Sequence, residues 1–163
     1  MSSYRKIIVI IVLLILIVFV YVYKVHVKQE SVHNKIQNYI VTECVNIESC
    51  AIELSDFTDF EWDTFYFVET GALLESSPEI ISAPLPKKFN FGNAKYIFTL
   101  KNQLVFFEEV PLNDEYIPDR TVYFHTEKGG YDVFEKSETN FSVSIQEGGR
   151  NRIYYLLKRN PLE

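Results

Sequence analysis

The chain has 163 residues, 22 acidic against 16 basic side chains for a net charge of −6, and 47% hydrophobic residues. That length suits one ordinary domain. The acidic balance repels phosphate backbones and anionic headgroups, which argues against nucleic acid as a partner.

Residues 1–6 form a short N-terminal tail, and Ile7 to Tyr23 is then an unbroken run of apolar or aromatic residues. Backbone amides in hydrocarbon must be satisfied internally, so the run reads as a transmembrane helix. At ~1.5 Å per residue it spans ~25 Å, and Tyr4, Arg5, Lys6, Tyr21, Tyr23 and Lys24 flank it as interfacial anchors. A cleaved signal would carry small residues at its end, whereas Lys24, Val25, His26, Val27 and Lys28 follow here. The expectation is an uncleaved signal anchor, with a cleaved signal or a buried core helix as the alternatives. Lys and Arg nearly balance across the run, so the positive-inside count is close to a tie. The short tail and the closeness of the only two cysteines, Cys44 and Cys50, favour export of the C-terminal part.

Residues 24–45 place Val32, Ile36, Tyr39, Ile40 and Cys44 at helical spacing, which predicts an amphipathic helix continuing from the anchor. His26 and His33 lie seven apart, not the four that would share a metal, and read as polar-face residues. Cys44 and Cys50 either close a disulfide in an exported compartment or stay reduced and buried on the cytoplasmic side. Their C-x5-C spacing is no usual metal or redox motif.

From Ser49 the pattern changes to period two, with aromatic and β-branched residues dominant, so residues 46–163 read as an antiparallel-sheet α+β domain. The expected strands are Ala51–Leu54, Thr64–Glu69, Tyr96–Leu100, Leu104–Val110, Thr121–His125, Tyr131–Phe134, Phe141–Gln146 and Ile153–Lys158. Lys101-Asn102-Gln103 and Glu147-Gly148-Gly149-Arg150-Asn151 turn two hairpins. Pro78, Pro84 and Pro86 prevent a long regular element over Ser77–Phe91, although Pro78–Ser82 suits one helical turn. The fold expected overall is a transmembrane helix, an amphipathic helix and a meandering, mainly antiparallel sheet.

Asp56, Asp59, Glu61 and Asp63 put four carboxylates within eight residues. An EF-hand loop from Asp59 fails, because Thr64 and Thr70 stand where glycine and glutamate are needed. The other reading is structural: Asp56 or Asp59 caps a turn that Phe57, Phe60 and Trp62 pin to the core, with Phe65 and Phe67 on one strand face and Tyr66 and Val68 on the other. The same four acids are the candidate protein-binding residues.

No metalloprotease, nucleophile-elbow, P-loop or dinucleotide motif is present. His125 is the one histidine of the domain body, and a cysteine nucleophile would need Cys44 or Cys50 free beside it. No enzyme activity, cofactor or metal is expected. Glu108 and Glu109, closing Leu104–Phe107, look like gatekeepers of a protected central strand. Arg150, Arg152, Lys158 and Arg159 flank Tyr154–Leu157 as solvated strand ends, and Asn140-Phe141-Ser142 is a formal glycosylation sequon.

Cys50 to Asp63, followed by an aromatic strand, resembles a loosely defined group of small bacterial exported proteins and lipoproteins. The likeness rests on Thr58, Asp59, Phe60, Trp62 and Asp63, a Thr-Asp-Phe-x-Trp-Asp pattern, and covers about twenty residues. It implies an envelope location and a small antiparallel-sheet domain, and it supplies no catalytic residues. The chain departs from the lipoproteins in having an anchor in place of a lipid-attachment cysteine. The sequence therefore predicts a single-pass envelope protein, attached through Ile7–Tyr23, whose exported domain (periplasmic or extracellular) binds another protein without catalysis. A basic partner fits the charge, and an immunity or inhibitor role is the sharpest form. A structural subunit of an envelope or pilus-like assembly is the alternative, and a hydrolase using His125 the third.

Overall fold

A computed structural model describes residues 30–44, 46–69, 71, 90, 92–111, 120–127, 130–148 and 152–160. The expected anchor Ile7–Tyr23, the Pro78–Ser82 turn and Arg150 lie outside these residues. Among the described residues no helix is long and apolar enough to cross a membrane.

Helix α1 covers Val32–Glu43. It starts at Ser31, whose hydroxyl accepts the Asn34 N–H at 3.0 Å and so satisfies one of the orphan amides of the first turn. Glu30 and Ser31 are not helical; residues 24–29 of the expected 24–45 helix lie outside the described residues. Val32, Ile36 and Ile40 recur at helical spacing and are 0–2% exposed, which is the stripe expected from the sequence. Tyr39 is 39% exposed instead, with its ring edge-on to Phe57.

Among the described residues eight strands follow: β1 (Ala51–Glu53), β2 (Thr64–Val68), β3 (Ala94–Leu100), β4 (Gln103–Val110), β5 (Thr121–Phe124), β6 (Tyr131–Glu135), β7 (Asn140–Glu147) and β8 (Ile153–Arg159). All eight coincide with runs whose alternation predicts them. They form two four-stranded sheets, in the orders β1-β7-β8-β5 and β4-β3-β2-β6, rather than one meander. Both hairpins close as expected, β3 on β4 and β7 on β8. At the first, Lys101 and Asn102 both have positive φ, 51° and 62°, as two-residue loops matching strand twist require.

β5 pairs with β8 in parallel, a departure from a purely antiparallel sheet. The two strands are separated by β6 and β7, which is ample chain for a parallel return. Periodicity along one strand carries no information about such a distant neighbour.

Phe65, Phe67, Tyr96 and Phe134 of one sheet meet Phe124 and Phe141 of the other. Phe65 and Phe124 ring centres stand 5.2 Å apart, Tyr96 and Phe124 5.4 Å, and Phe134 and Phe141 5.2 Å, all inclined. Each of these side chains is 0–2% exposed. Burying each stabilises by ~1.5–3 kcal/mol, with edge-to-face geometry adding to that. The alternation of β2 is as expected, with Phe65 and Phe67 in the shared core and Tyr66 half-buried on the opposite side.

Candidate functional site

The acidic segment is built on an aromatic base. Leu54–Phe57 makes one 3-10 turn, Thr58 donates its hydroxyl to the Ser55 carbonyl at 3.1 Å, and the Trp62 indole N–H reaches the Thr58 hydroxyl at 2.9 Å. Phe57 and Trp62 are 9% and 3% exposed, while Phe60 stacks on Phe106 at 4.9 Å. Aromatic residues therefore fix the backbone, as the sequence implies. Thr58 holds the turn from within, accepting the Trp62 N–H and donating to the Ser55 carbonyl.

The four candidate carboxylates then divide. Asp56, Asp59 and Glu61 are exposed, and Asp59 faces Lys35 of α1 at 3.9 Å. Asp63 is half-buried and occupied. Its carboxylate accepts the Lys101 N–H at 2.6 Å and the Thr64 hydroxyl at 3.1 Å. Its backbone adds bonds to Thr99 and to Lys136, each 2.9 Å. Asp63 thus ties the start of β2 to the β3–β4 hairpin, leaving three acids on the exposed turn. Among the described residues no three His, Cys, Asp or Glu side chains are grouped to hold a metal.

Cys44, which ends α1, is disulfide-bonded to Cys50, which precedes β1, with Cα atoms 5.5 Å apart. No free cysteine remains for nucleophilic chemistry. His125 lies just beyond β5, exposed, with its backbone N–H on the Leu157 carbonyl at 2.8 Å. Arg159 is committed to Glu127 and Glu138, both at 3.6 Å, and lies over the Phe134 ring.

A second polar cluster involves residues that sequence reasoning placed elsewhere. His33 is 6% exposed, not on a polar face. Its Nδ1 is 3.1 Å from the Tyr96 hydroxyl on β3, and its Nε2 is 3.3 Å from the Thr121 hydroxyl on β5. Burial pushes the imidazole down to about 4, because an imidazolium there would lose its hydration. Burial raises Tyr96, and the charge of Glu108 and the nearby Tyr123 raise it further.

Glu108 completes the cluster. It lies on β4 opposite Tyr96, and its carboxylate accepts the Val32 N–H at 2.9 Å, the His33 N–H at 3.3 Å and the Ser31 hydroxyl. A carboxylate at the positive end of a helix is favourable both as a cap and against the dipole. The gatekeeper expectation is corrected on one point: among the described residues β4 is an edge strand, not a central one. Glu109 is also turned onto its own molecule, accepting the Asn90 N–H at 2.6 Å. It is the cross-strand neighbour of buried Lys95, whose ammonium is held below its ordinary range by desolvation, an effect that the Glu109 carboxylate opposes only in part.

The signals for this cluster were weak in the sequence. His33 sits between Val32 and Asn34 beside the apolar stripe, and nothing local indicates which hydroxyls reach it from 63 and 88 residues away. No protein-family model matches the chain, and no curated protein or solved structure matches it either.

Proposed function

We propose that this chain is a membrane-anchored envelope protein whose exported domain binds another protein without catalysis, in the manner of an immunity or inhibitor protein. The observation that carries this reading is the exposed turn bearing Asp56, Asp59 and Glu61, seated on buried Phe57 and Trp62. A rigid backbone presenting three carboxylates loses little order on docking, and its charge steers a basic partner. The Cys44–Cys50 disulfide supports an oxidising compartment, and the apolar run Ile7–Tyr23 supports attachment to the membrane. The likeness of Thr58–Asp63 to small exported bacterial proteins points the same way.

The test uses full-length protein in detergent, captured with its partners from membranes, beside a variant carrying Asp56→Lys, Asp59→Lys and Glu61→Lys. Asp63 is left unchanged because reversing it would break the hairpin. One stoichiometric partner, retained by the native protein and lost by at least tenfold in affinity from the variant with its thermal transition preserved, is the expected result. Equal capture by both proteins removes the turn from the interface. Recovery of copies of the chain alone would favour an assembly subunit instead.

A further inference from the structure

The two ends of α1 are fixed in different ways. Its C-terminal end is covalently tied, since Cys44 is bonded to Cys50 beside β1. Its N-terminal end is held by polar contacts: His33 to Tyr96 and Thr121, Glu108 to the first amides, and the Gln37 side-chain amide to the Arg120 carbonyl at 3.0 Å. Those contacts reach β3, β4 and the start of β5, so this one turn of helix bridges both sheets.

The geometry suits a neutral ring and no other. A neutral imidazole has one donor and one acceptor, and a hydroxyl serves as either, so both ring nitrogens are satisfied in either tautomer. An imidazolium has two donors and no acceptor. The Tyr96 and Thr121 hydroxyls would then both have to accept, and their own protons would need new acceptors on side chains that are 0% exposed. The added charge would also sit in the first turn of a helix, against the positive end of its dipole. The facing groups are Glu108 from β4, Tyr96 from β3 and Thr121 from β5, with Tyr123 of β5 acting on Tyr96. Of these Glu108 alone carries a negative charge, and its carboxylate is held by the Ser31 hydroxyl and the Val32 and His33 amides, while the His33 ring bonds to Tyr96 and Thr121.

We infer that α1 is an acid-released latch: protonation of His33 frees the N-terminal half of the helix from the two sheets, while the Cys44–Cys50 disulfide retains its C-terminal end as a hinge. Opening exposes Tyr96, Thr121 and the apolar faces of Val32 and Ile36. The device responds to acidification outside the domain and works whatever the domain binds.

Amide hydrogen exchange on the full chain in detergent, corrected for the intrinsic pH-dependence of exchange, tests this at pH 7.5 and pH 5. Amides of residues 33–37 should lose at least tenfold in protection at pH 5 and remain well below those of β7 and β8 at both pH values. His33→Gln, which keeps a donor and an acceptor and does not titrate, should abolish the loss, whereas Glu108→Gln should lower protection at both pH values and keep it. Protection of α1 equal to that of β7 and β8, or an unchanged pH response in His33→Gln, overturns the latch. Should His33→Gln fail to fold, imidazole NMR of the native protein decides. A His33 ring titrating well below 6.5 is expected, and one titrating at 6.5 or above refutes the proposal.

Discussion

His33 shows how a single side chain changes meaning with its surroundings. Unfolded, its imidazole titrates near 6.5, and in the folded chain burial lowers it to about 4. The folded state therefore binds fewer protons between those values, and stability rises with pH there. The contribution is fully present above about pH 6.5 and is lost as pH falls towards about 4, amounting to about 3 kcal/mol in all. Urea unfolding at pH 7, 5 and 4 should show that decline in the native protein and a flatter one in His33→Gln. Parallel declines would assign the effect to carboxylates instead. Asp63 is the complementary case, because a residue that reads as surface charge serves as a fastener. Asp63→Ala leaves the Lys101 amide and the Thr64 hydroxyl short of an acceptor and should cost about 1–3 kcal/mol in chemical denaturation. A loss below about 0.5 kcal/mol would return Asp63 to the exposed group with Asp56, Asp59 and Glu61.

Among the elements, the β3–β4 hairpin carries a visible strain. Lys101 and Asn102 both occupy the left-handed region, which costs a side-chain-bearing residue such as lysine roughly 1 kcal/mol and suits asparagine and glycine. Replacing the pair by Lys101→Asn with Asn102→Gly should raise stability by about 1 kcal/mol, read as an upward shift in Tm. A fall would mean that the Lys101 side chain contributes more than its backbone costs. Among the described residues, the edge strands of the β4-β3-β2-β6 sheet each turn an acid inward. Glu108 of β4 turns to the start of α1, and Asp132 of β6 is 6% exposed, accepting the Glu127 N–H at 3.2 Å. Inward-pointing acids of this kind disfavour pairing with a second sheet, as does the register shift in the β3–β4 ladder.

At the scale of the molecule, a disulfide closes a short loop between the helix and the first strand. The chain-entropy model gives about 2 kcal/mol for a loop of this size. Reduction, or Cys44→Ser with Cys50→Ser, should lower the unfolding free energy by that amount while the aromatic core of Phe65, Phe98, Phe124 and Phe134 keeps its near-ultraviolet circular dichroism. Loss of that signal on reduction would make the bond a condition of folding rather than an addition to it.

The sequence by itself determined the local elements, because alternation and helical spacing are properties of adjacent residues. It placed the eight strands, both hairpins, the buried stripe of α1 and the aromatic seating of Phe57, Phe60 and Trp62. It also brought Cys44 and Cys50 into question as a pair, since few residues separate them, while leaving their bond open. Only the tertiary structure decided what distant segments share. The division into two sheets, the parallel β5–β8 pairing, the burial of His33 and the engagement of Glu108 with the first turn of α1 all join groups dozens of residues apart. No local period encodes such partners. They follow from the aromatic faces closing on one another, and the polar groups carried inside must then find hydrogen-bond partners wherever the packing places them.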